Sequence, residues 1–441
     1  MKIPQKPPDQ KKIRKVLEEN PQYLSLIDEN ITRVVNECVR RHLHWDELRY
    51  RDLPNNIKPE FIWMILKLFR NQRYNKFKFG NIEFKYLLWD DTIEQLHILD
   101  KYAAGNIETD FGSINTEGKE KYIINSLMEE AIASSQLEGA ATTRKIAKEI
   151  LRKKKKPLNY SEQMIVNGYN TIQKIVRMKE KKITPEMILN LQRDITKNTL
   201  KNKEDEGNFR DNNEVVIADS RDDKVLYKPP DCREIPDLMD EFCKFASDET
   251  DYGLGFIHPI IKGIILHFLI GYLHPFNDGN GRTARAIFYW YVLTQGYWLF
   301  EFMPISRILL RSKVKYALSY LYTETDENDL TYFIKYNLSA IDEALHEMEE
   351  YIKRKQKEQS EAANLIESIE DINPRQADIL KRFMKNQDKY FVINEIMNTY
   401  GVVYETARSD LLHLTELGYL EKKLVKNKFM FRLLKKELAE K

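Results

Sequence analysis

The stretch IIKGIILHFLIGYLHPFNDGNGRTARAIFYWYVLTQG, from Ile260 to Gly296, decides the fold of this 441-residue chain. Its first part is apolar on almost every side, which is typical of a helix at the centre of a core. Pro275 ends that helix, and the sequence NDGNG that follows favours a tight turn. A second apolar helix then runs to Gly296, a residue type common at helix C-termini. The stretch therefore predicts a polar, glycine-rich loop between two buried helices.

The polar loop has the chemistry of an anion-binding site. Gly279 and Gly281 flank Asn280 and permit backbone conformations in which successive N–H groups converge. The same groups lie where a new helix presents its unpaired donors. Arg282 and Arg285 are three residues apart in the first turn of that helix, on one face. These two cations oppose the helix dipole at a cost of about 0.3–1 kcal/mol each, and a bound polyphosphate would reverse that penalty.

Two further side chains near this loop are suited to catalysis. His274 ends the first helix, and an imidazole that titrates near neutrality is a suitable general base for a hydroxyl group. Asp278 offers the hard oxygen ligands that Mg²⁺ prefers, and Mg²⁺ would bridge phosphate oxygens. The loop therefore predicts a site for a nucleotide and a metal ion, with a base beside it.

Residues 274–285, HPFNDGNGRTAR, resemble the signature of the Fic family, H-x-F-x-D/E-G-N-G-R-x-x-R, with every specified position filled. We call them the signature segment. The resemblance covers residues 120–345. Within it, GNFR at 207–210 precedes two short β-type runs and the polar turn DSRDD at 219–223, which together predict a β-hairpin similar to the family's target-positioning flap. The resemblance implies a mainly α-helical core with this small hairpin.

The resemblance implies an activity, the transfer of AMP from ATP to a Ser, Thr or Tyr hydroxyl of a target protein. It implies that His274 deprotonates the hydroxyl and that Asp278 binds Mg²⁺ or Mn²⁺. Phe276 matches the residue that pins the loop into the core. The implied nucleotide contacts are Gly279, Asn280, Gly281, Arg282 and Arg285. Tyr316, in the helical segment that follows, is a candidate for the nucleobase wall and equally for the buried core.

A second segment, SSQLEG, resembles the family's inhibitory motif, [ST]-x-x-x-E-[GN], through Ser134 and Glu138. Its position before the core matches the subclass with an N-terminal inhibitory helix. Ser134 and Glu138 are one helical turn apart, so both can face the site together. We expect Glu138 to pair with Arg285 and to occupy the place that the γ-phosphate needs.

The remaining sequence predicts three further regions. Residues 1–119 are expected to form a flexible basic tail, to about residue 20, followed by a helical region. In that region His42 and His44 are interpreted as two partly exposed histidines, because side chains two apart on a helix diverge. Residues 346–373 predict a charged linker helix.

Residues 374–441 resemble a winged helix-turn-helix domain. Apolar positions stripe two helices around Gly401, and residues 419–433, YLEKKLVKNKFMFRL, predict a two-stranded wing. The wing is basic, but the expected recognition helix sets acidic residues such as Glu405 beside Arg408. That is a thin basis for reading bases and contacting phosphates. Binding to DNA and docking to another protein both stay open.

Composition sets the outer limits of function. The net charge of +2 favours no nucleic-acid partner, and the three cysteines are too scattered for a zinc site or a disulfide framework. The most apolar stretch, Ile260–Leu273, is shorter than the roughly 20 residues of a membrane span. We therefore expect a cytoplasmic protein without a membrane partner.

Two alternative functions fit the same residues. One is the reverse activity, hydrolytic removal of AMP from a modified protein, with Glu138 orienting the water. The other is a transcriptional regulator that binds DNA and senses nucleotide without turning it over.

Overall fold

The computed structural model describes residues 3–25, 28–104, 116–178, 182–218, 224–250, 252–368, 371–384, 389–425 and 428–434. Contacts divide the chain into two compact units, Met1–Met348 and Glu349–Lys441. Among the described helices, none combines the length and the hydrophobicity that crossing a bilayer requires.

The first unit is built mainly of α-helices. Those described are α1 Gln10–Glu19, α2 Glu29–Arg41, α3 Trp45–Leu48, α4 Pro59–Asn71, α5 Asp90–Leu99, α6 Thr116–Leu137, α7 Arg144–Lys153, α8 Tyr160–Met178, α9 Pro185–Thr196, α10 Ile235–Ala246, α11 Pro259–Leu273, α12 Asn280–Thr294, α13 Ile305–Arg311, α14 Lys313–Thr325 and the first part of α15 Thr331–Ser368. Two antiparallel hairpins accompany them, β1 Asn75–Phe79 with β2 Ile82–Tyr86 and β3 Ile217–Ala218 with β4 Val225–Tyr227. This mainly helical architecture with small hairpins confirms the predicted fold class.

Helix α1 corrects the expected N-terminal tail. The side chain of Asp9 caps the helix by accepting from Lys12 N at 2.8 Å. Ile13, Val16 and Leu17 lie at helical spacing and pack into a core shared with α2 and α4. The prediction of a flexible segment is therefore wrong for residues 10–19, where burial of the apolar stripe stabilises the helix.

The β1–β2 hairpin is an element that the sequence analysis missed. Phe77 pairs with Phe84 across the strands, and both rings are buried. Phe77 stacks on Phe245 of α10 at 5.5 Å between ring centroids, and Phe84 meets Phe268 of α11 edge-on. The hairpin thus covers one side of the central helices and is part of their core.

His42 and His44 are buried, which contradicts the expectation that they are partly exposed. Their exposed fractions are 2% and 0%. His42 Nε2 lies 2.9 Å from Asp329 Oδ2, and His44 Nε2 lies 3.1 Å from Thr325 Oγ1. Burial lowers the pKa of both imidazoles to about 4. The two rings hydrogen-bond to different partners, and both partners lie far away in the sequence.

Helices α11 and α12 form the centre of the first unit, as the sequence predicts. Every residue from 260 to 270 is buried, including Lys262 and His267. The β3–β4 hairpin lies beside them, and its Tyr227 packs on Tyr272 of α11 at 5.0 Å between ring centroids. The turn predicted at residues 219–223 of that hairpin lies outside the described residues.

Helix α15 begins earlier than the expected linker helix, at Thr331 rather than at residue 346. Residues 331–368 contain no Gly or Pro, and Leu338, Ile341, Leu345 and Met348 bury one continuous stripe. Because residues 331–368 contain no residue that favours a helix end, the charged segment continues the helix that begins at Thr331.

The second unit combines short helices with one small sheet. Its described elements are α16 Pro374–Met384, β5 Phe391–Val392, α17 Ile393–Tyr400, α18 Tyr404–Glu416, β6 Leu420–Val425 and β7 Lys428–Leu433. The strands form an antiparallel sheet in the order β5-β7-β6. Gly401 ends α17 at a φ of 65°, a left-handed conformation that favours glycine. The two helices and the two-stranded hairpin lie where the sequence predicts them.

Candidate active site

The backbone of His274 is held in an unusual conformation. His274 ends α11 with φ 48° and ψ 57°, in the left-handed region. Arg210, which precedes the β3–β4 hairpin, donates from Nε to His274 O at 2.9 Å and from its backbone N to Pro275 O at 2.9 Å. These bonds offset the strain at His274 and fix the direction of its side chain. Arg210 ends the GNFR segment of the predicted flap, and its bonds to residues 274 and 275 have no signal in the sequence.

The imidazole of His274 is prepared to act as a base. Its Nδ1 lies 3.0 Å from the carbonyl oxygen of Gly271. A carbonyl only accepts, so Nδ1 carries the hydrogen and Nε2 keeps a free lone pair. Burial lowers the pKa of His274 below its usual value, which keeps the ring neutral at physiological pH.

The signature segment is braced from within. Asn280 Oδ1 accepts from Phe276 N at 2.9 Å, and Asn280 Nδ2 donates to Phe276 O at 2.7 Å. Phe276 is itself fully buried. Both polar atoms of the Asn280 side chain are therefore used to hold the loop together. Only the backbone N–H of Asn280 remains for the expected contact with an anion.

Close approach explains both glycines of the loop. Gly279 has a φ of 87°, and a Cβ there would lie 2.7 Å from Thr196 Cγ2. A Cβ on Gly281 would overlap the carboxylate of Glu138 and lie 3.2 Å from Arg285 Nη1. The missing side chain at residue 281 thus leaves room for an oxygen anion against the first turn of α12.

Arg282 is a buried cation with unused donors. Its exposed fraction is 4%, and Nη1 donates to Ile195 O at 3.0 Å. Among the described residues, Nε and Nη2 have no hydrogen-bond partner, although Nη2 lies 3.6 Å from Asp278 Oδ1. Buried donors without acceptors are costly, so this guanidinium suits an anionic ligand such as a polyphosphate.

Arg285 is joined to the two residues of the inhibitory-type motif. Its Nη2 lies 2.9 Å from Glu138 Oε1, and its Nε donates to Ser134 Oγ at 2.9 Å. Burial alone would raise the pKa of Glu138, but Arg285, with Arg282 and His274, outweighs it and lowers the pKa below its usual value. Glu138 is therefore an anion lying against the loop, paired as the sequence analysis expects.

Asp278 faces an open groove of about 780 Å³, and its side chain is 46% exposed. The groove is bounded by Tyr160 and by residues of the loop after α9 and of the segment before β3. Within the described ranges, no group of three or more His, Cys, Asp or Glu residues could hold a metal. A single carboxylate suits Mg²⁺ or Mn²⁺ held together with phosphate oxygens and water, so Asp278 fits the expected ion.

Tyr316 lies in an aromatic cluster. Its hydroxyl is 2.8 Å from His267 Nε2, and its ring contacts Tyr320 and Phe333 at 5.5 and 6.2 Å between centroids. Burial raises the pKa of this phenol. These contacts agree with the interpretation of Tyr316 as a core residue, and its assignment to a nucleobase wall stays a prediction.

Comparison with known proteins bears on the central helices. Residues 182–292 match the profile of the Fic/DOC family. Proteins named protein adenylyltransferase Fic are similar over short segments: that of Culex quinquefasciatus is 30% identical over 69 residues, and that of Drosophila grimshawi 31% over 71 residues. Each alignment covers 16% of this chain, and the chain covers only 13% and 14% of those two proteins.

Among solved structures, the chain is similar to Fic-1 (residues 134–508) of C. elegans. That comparison has a TM-score of 0.49 at 14% identity and covers 79% of this chain and 94% of that one. A Fic family protein of Desulfovibrio desulfuricans gives a TM-score of 0.47 at 17% identity, over 78% and 95%. The profile match spans α9 to α12 together with the whole signature segment, so the chain contains a Fic/DOC family domain at residues 182–292.

Proposed function

We propose that this protein is a protein adenylyltransferase, which moves AMP from ATP to a Ser, Thr or Tyr hydroxyl of a target protein and is restrained by Glu138. The observation that carries the proposal is the neutral His274, with a free Nε2, beside a loop of backbone donors and the unused donors of Arg282. A base and a phosphate cradle are what hydroxyl attack on a nucleotide requires.

The phosphates of ATP would lie on the N-terminus of α12. Backbone N–H groups around Gly281 and the guanidinium groups of Arg282 and Arg285 neutralise their charge. Asp278 would hold Mg²⁺ or Mn²⁺, which supplies further charge neutralisation on the phosphate oxygens.

In the transfer itself, His274 Nε2 accepts the proton of the target hydroxyl. The hydroxyl oxygen forms a bond to the α-phosphorus, the bond between that phosphorus and the oxygen bridging to the β-phosphate breaks, and pyrophosphate leaves. Most of the rate enhancement comes from positioning and from fixed donors, because the protein forms no covalent bond in this scheme.

Glu138 restrains the enzyme by occupying phosphate space. Its carboxylate lies on Arg285 and against Gly281, where the ligand's own oxygens would bind. A charge-assisted hydrogen bond of this type contributes about 1.5–3 kcal/mol. ATP must displace that contact and also overcome the repulsion between the carboxylate and the triphosphate.

Labelled ATP tests the proposal. Protein extract is incubated with the wild type, with Glu138→Gly and with Glu138→Gly/His274→Ala, using ATP labelled on either the α- or the γ-phosphate. We expect protein to be labelled from the α-phosphate only, and His274→Ala to abolish labelling while leaving ATP binding intact. Release of AMP from modified protein without any forward transfer would instead support the hydrolase. Tight ATP binding without turnover would support a nucleotide sensor.

For the second unit, protein docking has more support than DNA binding. Arg408 of α18 is held by Glu405 at 3.2 Å, and Asp410 is buried against Arg375. A recognition helix whose one arginine is already paired has little left for phosphates. Fluorescence anisotropy with a mixed-sequence duplex at low salt should therefore detect no binding at micromolar protein. Salt-sensitive binding in that titration would reverse this assignment.

A further inference from the structure

A line of polar contacts runs between α6 and its neighbours and continues past Ser134, away from the active site. Its members on the α6 side are Glu130, Ser134 and Glu138, which are spaced one helical turn apart. Facing them on α12 are Tyr289 and Arg285, also one turn apart but in the opposite chain direction. We call this set of contacts the polar ladder.

The inner end of the ladder is Glu130, which is 4% exposed. Glu130 Oε2 accepts from Tyr289 Oη at 2.8 Å and from Ser306 N at 2.9 Å, and Oε1 accepts from Ser306 Oγ. One carboxylate therefore joins α6 both to α12 and to the start of α13. Burial raises the pKa of Glu130. A buried carboxyl is costly unless it is well bonded, and this one uses both oxygens.

Packing between α6 and α12 is incomplete along this face. A cavity of about 30 Å³ lies between the first two contacts of the ladder, bounded by Glu130, Ser134, Arg285 and Tyr289 among others. Close-packed side chains resist sliding, and a gap between them offers no such resistance. Beside this cavity, the hydrogen bonds of the ladder add to the packing of α6 in opposing a shift along α12.

The outer end of the ladder is freer. Glu138 lies beyond the last residue of α6, and its side chain is 33% exposed. Gly139 follows with a φ of 94°, and a Cβ built there would meet no described atom within 4 Å. The ladder is therefore buried and firmly bonded at Glu130, and it is more exposed and less restrained at Glu138.

We propose that Glu130 is a positioning residue for the restraint of the site: it fixes the register of α6 on α12, so that Ser134 and Glu138 meet Arg285. This inference rests on the proposed function, because it assigns a regulatory purpose to the Glu138–Arg285 contact. Both carboxylate oxygens of Glu130 are already bonded to Tyr289 and Ser306, so Glu130 is expected to act through the helix that it anchors.

A double-mutant design tests the role of Glu130. Glu130→Ala and Glu130→Gln are each made in the wild type and in Glu138→Gly, and self-labelling from α-labelled ATP is measured at equal concentration. In the wild-type background, we expect Glu130→Ala to raise labelling about threefold to tenfold. In Glu138→Gly it should change labelling less than about twofold, because the restraint is already gone. Glu130→Gln, which keeps the shape and one acceptor, should give a smaller rise than Glu130→Ala.

Glu129→Gln is the matched control. Glu129 is the adjacent residue but bonds to Arg144 Nε at 2.9 Å, outside the ladder. The Glu129→Gln variant should destabilise α6 without raising self-labelling. If Glu130→Ala does not fold, as judged by its thermal melt, Tyr289→Phe replaces it, since that change removes the hydroxyl and keeps the ring.

The outcomes separate the two proposals. Equal loss of labelling in both backgrounds, or no change in either, overturns the positioning role of Glu130 and leaves the proposed function standing. Failure of Glu138→Gly to raise labelling overturns the restraint itself. If Glu130→Ala raises self-labelling equally in the wild type and in Glu138→Gly, the positioning role of Glu130 is also rejected, because Glu130 would then act independently of Glu138.

Discussion

Arg210 fixes His274 from outside the signature segment, through a 2.9 Å bond from Arg210 Nε to the carbonyl oxygen of His274. The same guanidinium donates from Nη1 to Asn212 O at 2.9 Å and from Nη2 to Pro230 O. One side chain therefore ties both ends of the hairpin segment to the residue proposed as the base. Its fork of donors suits this task better than a single ammonium group would.

We predict that Arg210→Ala lowers AMP transfer by about tenfold or more in the Glu138→Gly background, since the base loses its alignment. ATP affinity should change less than about twofold, because no phosphate contact is removed. Arg210→Lys should be intermediate, with one bond in place of the fork. Self-labelling and equilibrium nucleotide binding measure the two effects. Labelling by Arg210→Ala within twofold of its parent would show that the bond to His274 is dispensable.

Glu138→Gly should raise self-labelling by about tenfold or more, since each 1.4 kcal/mol of lost restraint is one decade in rate. Gly also makes the backbone more flexible, so Glu138→Gln separates the loss of charge from the gain in flexibility. The neutral amide keeps the shape but not the charge-assisted bond, and a smaller increase is expected. Equal or lower labelling by Glu138→Gly would mean that Glu138 is not the restraint.

Asp278→Ala should abolish the stimulation of ATP binding and transfer by Mg²⁺ or Mn²⁺ in the Glu138→Gly background. Asp237→Ala, at an exposed position of α10, is the control for loss of a carboxylate. Titrations with and without chelator give the metal-dependent part of the affinity. Undiminished AMP transfer in excess chelator would exclude Asp278 as the ligand of a required metal ion.

His267 should make stability depend on pH. Burial, with a contribution from Arg285, lowers the pKa of His267 from 6.5 to about 3. Below pH 6.5 the unfolded chain therefore binds a proton that the native state refuses, and the free energy of unfolding falls as the pH falls toward 3. Between pH 7.5 and 5.0 this amounts to about 2 kcal/mol.

Thermal melts at pH 7.5 and 5.0 check this dependence. His267→Gln should narrow the difference in Tm between the two pH values. The control His346→Gln, at an exposed position, should leave it unchanged. The same difference in wild type and in His267→Gln would show that His267 does not titrate on unfolding.

The centre of the site was predictable because its chemistry is contiguous in the chain. His274, Asp278 and the two arginines fall within twelve residues, and the two apolar helices around them are unambiguous. The pairing of Glu138 with Arg285 was also accessible, since helical spacing puts Ser134 and Glu138 on one face and charge selects the partner.

Other features carried local signals that the sequence analysis overlooked. Phe77, Phe79 and Phe84 alternate with polar residues around the pair Gly80-Asn81, which is typical of a hairpin. Helix α1 also had local signals, namely the capping residue Asp9 and apolar residues at helical spacing. The burial of His42 was not accessible, because Asp329 lies 287 positions away and no local pattern links the two.

The same buried network restricts how this protein can be divided or recombined. Asp326 and Asp329 lie between α14 and α15, while Lys67, which bonds Asp326 at 2.7 Å, and His42 come from the first 71 residues. Removing the partner of a buried charged group costs about 3–5 kcal/mol. A gene fusion that carried only residues 120–345 into another protein would inherit both carboxylates without these two partners. The N-terminal region and residues 120–345 are therefore expected to be stable only together.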